Sequence, residues 1–407
     1  MTAIDTLFQN ARLGDGRIVD IAVSDGRIVS IGPAPQSPAG AGATHDLGRR
    51  LVLPGLVDGH IHLDKGFIGD VWKPHRPCTA GFSVRERVEF EKEALATAEP
   101  IARRAAAMID LCVSLGTTQM RSHVDIDAQA GLGNLEQVLA ARDAHRDKMS
   151  VQIVAFPQSG IVSSPGTAEL LDEAVQAGAD LVGGLDPAGY DADIDGHLDV
   201  IFGIADRRGV GIDIHLHDGG QLGVFEIEEI ARRTRSLGLG GKVTISHAYG
   251  LGEVPRDVAL RTADLLAEAG VAILTNAPGA HAFPPVLLLR EAGVNVFAGN
   301  DNIRDSWWPY GDGDLLERAM IIGYRSGFNT DAQLAIALDM VTTDAARALS
   351  LANYGLVEGG AADFVVLAAQ HVQEAVVARP KPRDVYKKGR LVARNGAIVT
   401  VREHEGA

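Results

Sequence analysis

The sequence predicts an α/β protein, a (β/α)8 TIM barrel carrying a small composite β-sandwich built from both ends of the chain. Three observations predict it. Between about residues 55 and 345, apolar β-rich runs alternate with Ala-, Leu- and Glu-rich helical stretches in units of roughly 30 to 40 residues, the pattern of parallel βα units. Eight runs of strand character fall in that interval. Short strands punctuated by turn signals precede it and return after it.

Taken in order, Thr6–Ala11, Val19–Val23 and Arg27–Ile31 are short strands separated by Gly14-Asp15-Gly16 and Asp25-Gly26, and they read as a small antiparallel sheet. The expected barrel strands are Leu56–Leu63, Thr117–Asp125, Ser150–Phe156, Leu181–Leu185, Gly211–His215, Val243–His247, Ala272–Thr275 and Val294–Gly299. Past about residue 350 strands return at Phe364–Leu367, Val385–Lys388, Arg390–Ala393 and Ile398–Val401. The economical division is a composite sandwich from residues 1–54 and 350–407 flanking a barrel from 55–349. No repeat of 20 to 50 residues appears beyond the βα alternation.

Composition narrows the function. With 407 residues, 46% of them hydrophobic, the chain can bury a large core. A net charge of −15 without a basic run repels phosphate backbones and anionic lipid surfaces, so no nucleic-acid partner is expected. Apolar runs such as Leu51–Val57 are broken by Pro54 and Gly55, and Asp5 and Asn10 interrupt any signal-like start, so no membrane span is expected and the cytoplasm is the expected address. Apolar helical stretches point to a homo-oligomer. Only Cys78 and Cys112 are present, so a transition-metal site must draw on His and carboxylates.

The strongest local signal is Gly59-His60-Ile61-His62-Leu63-Asp64-Lys65 after an apolar strand. Residues two apart on a strand share a face, so His60 and His62 project together at the C-terminal mouth of the barrel. An isolated pair of this kind is as often two satisfied core histidines. Three more strand ends add the same chemistry: His215 and His217 after the fifth strand, His247 after the sixth, and Asp301 after the eighth. Convergence of that many imidazoles with a carboxylate suits zinc or iron with an open position for water. The fourth-strand segment Leu181–Asp186 lacks the lysine that would bridge two ions, so one metal is expected.

The segments GHIHLDK (59–65), RSHVDID (121–127), VQIVAFPQSGI (151–161), IDIHLHD (212–218), VTISHA (243–248) and GNDNIRDSWWP (299–309), in that order, resemble the cytosine deaminase and N-isopropylammelide isopropylaminohydrolase branch of the amidohydrolase superfamily. The resemblance runs from Leu51 to about Tyr354. It implies that His60, His62, His215 and Asp301 hold one divalent ion, Zn or Fe, with Asp301 also taking the proton of the attacking water. His247 would stabilise the oxyanion, Gln158 would read a lactam-like ring edge through its amide, and Trp307 would stack on the substrate.

Two positions depart from cytosine deaminase. The glutamate that shuttles protons there is replaced by the shorter Asp218, preceded by His217, and either residue is a candidate acid. Lys65 stands where cytosine deaminase has a neutral residue and the triazine enzyme has lysine; it is expected to donate to a ring carbonyl, to pair with an anionic substrate, or to form a salt bridge with Asp64. With Asn302 after the metal carboxylate, these departures favour an oxo-rich or anionic ring over cytosine.

The resulting expectation is a hydrolytic deaminase or aminohydrolase of a small pyrimidine- or triazine-like heterocycle, releasing ammonia or an amine. The alternatives are an amidohydrolase opening a cyclic or linear amide, and a metal-binding protein without turnover. Asp70–Pro77 reads as a lid loop in which Trp72, His75 and Arg76 face substrate or pack on a neighbour. His123 is expected to support the metal histidines. His45, His145, His197, His281, His371 and His404 are expected to be solvated or structural.

Overall fold

The computed structural model describes residues 4–33 and 42–399. Val401, the end of the last expected strand, and His404 lie outside them. Eight parallel strands lie side by side in chain order: Leu56–Ile61, Thr117–Asp125, Ser150–Phe156, Leu181–Leu185, Gly211–Leu216, Val243–His247, Val271–Thr275 and Val296–Ala298. A parallel bridge between Ile61 and Asp301 joins the last to the first, and the Asp301 amide donates to the His60 carbonyl at 2.7 Å. The chain is therefore an α/β barrel.

Closure demands small residues at that seam. A Cβ on Gly59 would stand 2.4 Å from the Phe297 ring, and one on Gly299 would stand 2.4 Å from the His60 amide nitrogen. The strands are sealed outside by amphipathic helices. Ile101–Ser114 buries Ala105, Met108, Ile109 and Cys112, a stripe of i, i+3, i+4, i+7 spacing. Full burial of Met108 or Ile109 stabilises the fold by about 1.5–3 kcal/mol each. Among the described residues no helix is long and apolar enough to cross a membrane.

Both chain ends contribute to a second sheet of nine strands. Its N-terminal part is mixed rather than antiparallel. Thr6–Arg12 pairs antiparallel with Ile18–Ser24, but Ala43–Asp46 and Leu51–Pro54 both lie parallel to it. Those parallel partners arrive only after at least two intervening strands, a longer return than a hairpin turn allows. Leu51–Pro54 then pairs antiparallel with Phe364–Leu367 from the other end of the chain. Alternation sorts the two faces: Val52, Phe364 and Val366 join Phe8, Ile21 and Tyr386 in one core, whereas Leu51, Leu53 and Val365 pack with the barrel. A helix at Val372–Ala378, absent from the expected strand series, lies between the last strands.

Candidate metal centre and adjoining cavity

His60 and His62 come from the first barrel strand and the turn after it, His215 from the fifth, His247 from the sixth, and Asp301 from just after the eighth. Two of these residues sit in the left-handed region of backbone space, His247 at φ 74° and Asp301 at φ 61°, and Asp186, just after the fourth strand, joins them at φ 37°. For side chains with a Cβ that conformation costs on the order of 1–3 kcal/mol, and it persists where surrounding structure holds a functional group in place.

The donor atoms are spaced for a cation. His62 Nε2 lies 3.3 Å from Asp301 Oδ1 and 3.4 Å from His215 Nε2, and His60 Nε2 lies 3.5 Å from the same Asp301 oxygen. An ion about 2.0–2.2 Å from each of four tetrahedral donors would separate them by about 3.3–3.6 Å. Burial first, and then mutual repulsion among the imidazoles, holds His60 and His215 well below the usual histidine range. Burial and Lys65 do the same to His62. The three rings are thus neutral, with lone pairs to offer, and His60 Nε2, His62 Nδ1 and His215 Nδ1 have no protein hydrogen-bond partner. These residues fit a divalent ion.

Donor atoms also cluster in two overlapping sets, His60-His62-His123-His215 and His60-His215-His247-Asp301. His123 Nε2, however, lies 3.4 Å from Asp213 Oδ1, which makes His123 a neighbour of the support beneath the centre. That support runs in a line through the barrel interior. His60 Nδ1 meets Ser246 Oγ at 3.0 Å, Ser246 donates to Asp213 at 2.7 Å, and Arg121 donates to the other Asp213 oxygen at 3.0 Å. The chain fixes the His60 ring so that its second nitrogen faces the centre. Asn276 donates to Asp301 Oδ2 at 2.7 Å, leaving Oδ1 toward the histidines.

Beside the donors lies a small cavity. Lys65, Gln158, Asn302, Trp307, His217 and His247 line it together with His62, His215 and Asp301. Lys65 does not pair with Asp64 directly. Its ammonium stands 2.9 Å from Asp125 and 3.5 Å from Glu91 and donates to the Gln158 oxygen. Burial opposes its charge, but Asp125 and Glu91 outweigh that and raise Lys65 above the usual lysine range. Asp64 instead accepts the Asp125 amide and supports the cluster from behind. Because an ammonium only donates, Gln158 must turn its oxygen to Lys65, which leaves its NH2 group to donate elsewhere.

On the opposite wall, His217 Nδ1 meets Asp186 Oδ2 at 2.9 Å, and its ring stacks on His247 at 4.6 Å. Burial pulls His217 down, but Asp186 overrides it and raises the imidazole above its usual range. Burial takes His247 the other way, to about 3, although Asp301 opposes the shift. Asp218 lines neither this cavity nor the larger one next to it. Its carboxylate accepts the Gly189 amide at 2.8 Å, because one step beyond His217 the loop has turned the side chain toward Gly189.

The Amidohydrolase family profile matches residues 43–400. The chain belongs to that family. It is 34% identical over 403 residues to the N-isopropylammelide isopropyl amidohydrolase of Pseudomonas sp. strain ADP, covering 97% of this chain and 98% of that one. The crystal structure of N-isopropylammelide isopropylaminohydrolase from Burkholderia multivorans superposes with TM-score 0.92 at 44% identity, covering 98% of this chain and all of that one. The 5-methylcytosine deaminase from Klebsiella pneumoniae, liganded with 5-fluorocytosine, superposes with TM-score 0.84 at 28% identity, covering 97% of this chain and 99% of that one.

Several site residues escape a reading of the sequence. Glu91 reaches Lys65 and Trp307 Nε1 from the helix Val84–Leu95, whose mixed polarity gives no hint of a buried carboxylate. Asp186 follows the fourth strand and would have been accessible as another strand-end carboxylate. Asp213 shares the inward face with His215, so strict alternation also points to it. The expected lid residues Trp72, His75 and Arg76 line neither cavity at the metal centre; His75 and Arg76 face a separate cleft with Phe90, and Trp72 is exposed. Of the remaining histidines, His197 is buried against Asp191 at 2.7 Å, and His281 joins the wall of the larger cavity.

Proposed function

We propose that this chain is a metal-dependent hydrolytic deaminase or aminohydrolase that exchanges an exocyclic amino group on a small, oxo-rich nitrogen heterocycle for oxygen. The observation that carries the reading is the meeting, around one cavity, of His62, His215 and Asp301, with His60 behind them 3.5 Å from Asp301, and the Lys65–Gln158 pair. One divalent ion, zinc or iron, held by those donors would supply a water whose pKa falls toward neutrality.

The chain's own groups divide the remaining work. Asp301 Oδ1 accepts the proton of the attacking water, while Asn276 keeps Oδ2 engaged. His247 is neutral at physiological pH and can donate one N–H to charge developing on oxygen. His217, kept basic by Asp186, delivers a proton to the departing nitrogen. The free NH2 of Gln158 donates to a ring carbonyl, and Lys65 adds positive potential behind it. A donor paired with a cation favours rings rich in oxo groups over cytosine. Asn302 and Trp307 contact the ring from the loop after Asp301.

The assay is product analysis by mass spectrometry across cytosine, isocytosine, ammelide, N-alkyl ammelides and hydantoins, with zinc- and iron-loaded protein. The expected result is amine or ammonia release with the ring intact and triazinediones preferred over cytosine. Hydantoin opening, or a preference for cytosine, contradicts it. Exposed Leu222 and Phe225 on the helix Gly220–Ser236 support a homo-oligomer, which light scattering of the purified chain tests.

A further inference from the structure

A second, larger cavity of about 350 Å³ opens beside the metal centre. The two cavities share four residues: His217, Asp301, Asn302 and Trp307. Lys65 and Gln158 line only the inner one, and Tyr249, His281, Trp308 and Tyr310 line only the outer one. That division sets a direction. A ring anchored at Lys65 and Gln158, with its reacting carbon at Asp301 and His217, points the bond that breaks toward the shared residues and into the outer cavity.

The outer walls are aromatic and close to neutral. Tyr249 and His281 stack with ring centroids 5.4 Å apart and planes 6° from parallel, and Phe82 meets His281 edge-on at 4.9 Å. Trp308 and Tyr310 form another pair at 5.6 Å. The guanidiniums of Arg318 and Arg325 are engaged by the backbone carbonyls of Asn276, Asn300, Pro278 and His281. Arg87 and Glu317 contribute one charge of each sign. Nothing in this lining selects an ionic group. Its volume lies at the lower end of the range for small-molecule sites, room for one aryl group that ammonia or a short alkylamine leaves unfilled.

We infer that the outer cavity is a leaving-group subsite for an arylalkyl amine, so that the substrate is a heterocycle with an aromatic-bearing N-substituent. This inference rests on the aminohydrolase reading above. The step balances as a hydrolysis: the water oxygen bonds to the ring carbon and remains as an oxo group, the exocyclic C–N bond breaks, and the amine leaves with both protons of the water shared between product tautomer and RNH2. Stacking and burial of the aryl group act on the bond that breaks because the group is fixed beside His217.

The test uses the full metal-loaded chain and three substrates on one triazinedione ring, carrying NH2, NH-isopropyl or NH-benzyl. Amine release is followed by mass spectrometry. The expected result is a kcat/KM for the benzyl compound at least tenfold above that for the NH2 compound. Trp308→Ala should reduce that ratio at least threefold, and Tyr310→Ala, at a position 67% exposed, gives the same test without risk to folding. Equal or faster ammonia release, with the ring intact, overturns the subsite and leaves the aminohydrolase reading standing. A ratio untouched by both substitutions also overturns it. No release from any of the three overturns both.

Discussion

Lys65→Met removes the ammonium that pairs with Asp125 and Glu91 in a buried acidic cluster. Lys65 is 1% exposed, Glu91 1% and Asp125 8%. Methionine keeps most of the side-chain volume but leaves Asp125, 2.9 Å from the ammonium in the native protein, and Glu91, at 3.5 Å, without their counter-charge. Breaking a buried pair from one side costs about 3–5 kcal/mol, because the partner's charge stays buried. Burial already raises both carboxyl groups above the ordinary range, and the lysine is the main force holding them down. Without it they rise further, so the folded variant binds more protons than the unfolded chain from about pH 4 up to the raised values. Stability of the variant therefore falls as pH rises through that window. Urea unfolding at pH 5.5 and pH 8 reads this directly: the deficit against the native chain should be about 3–5 kcal/mol at pH 8 and clearly smaller at pH 5.5. A deficit below about 1 kcal/mol, the worth of an exposed pair, or one independent of pH, would refute the assignment of Lys65 as the counter-ion of this cluster.

His215→Ala should lose bound metal, whereas His123→Ala should retain it, as metal analysis of the purified variants reports; loss in both would move the ion to the deeper histidine set, which shares His215. Asp186→Asn removes the charge that raises His217, so the imidazole loses its proton at lower pH and the alkaline limb of the kcat profile should move to lower pH. An unmoved limb would take His217 out of the proton path. Asp218→Ala should keep kcat within about threefold while His217→Ala loses at least about a hundredfold, the lower bound for removing general acid–base assistance. Gln158→Glu replaces the free NH2 donor by a second acceptor beside Lys65, and KM for triazinediones should rise; an unchanged KM would remove Gln158 from ring recognition.

The parts of this account that were legible in the sequence are those governed by short-range periodicity. His60 and His62 sit two apart after an apolar strand, and the same strand-end logic finds His215, His247 and Asp301. The barrel is legible for the same reason, since its strands are short apolar or alternating runs that recur between helical stretches. The parts that were not legible depend on long-range approach or on a single loop step. Glu91 meets Lys65 across 26 positions from a helix with no distinctive pattern. Asp218 and His217 are adjacent, yet only the loop's turn decides that His217 faces the cavity and Asp218 faces Gly189. The parallel pairing of Ala43–Asp46 with Thr6–Arg12 is likewise invisible, because the alternation that marks a strand carries no information about its direction.

The most direct test of the central claim is turnover of an N-substituted triazinedione in H2(18)O by metal-loaded protein, with a chelator-treated control. The expected result is one heavy oxygen on an intact ring, one equivalent of amine released, and loss of turnover on metal removal with recovery on adding zinc or iron. A ring-opened product, an intact ring without heavy oxygen, or full activity in the chelator-treated protein would contradict it.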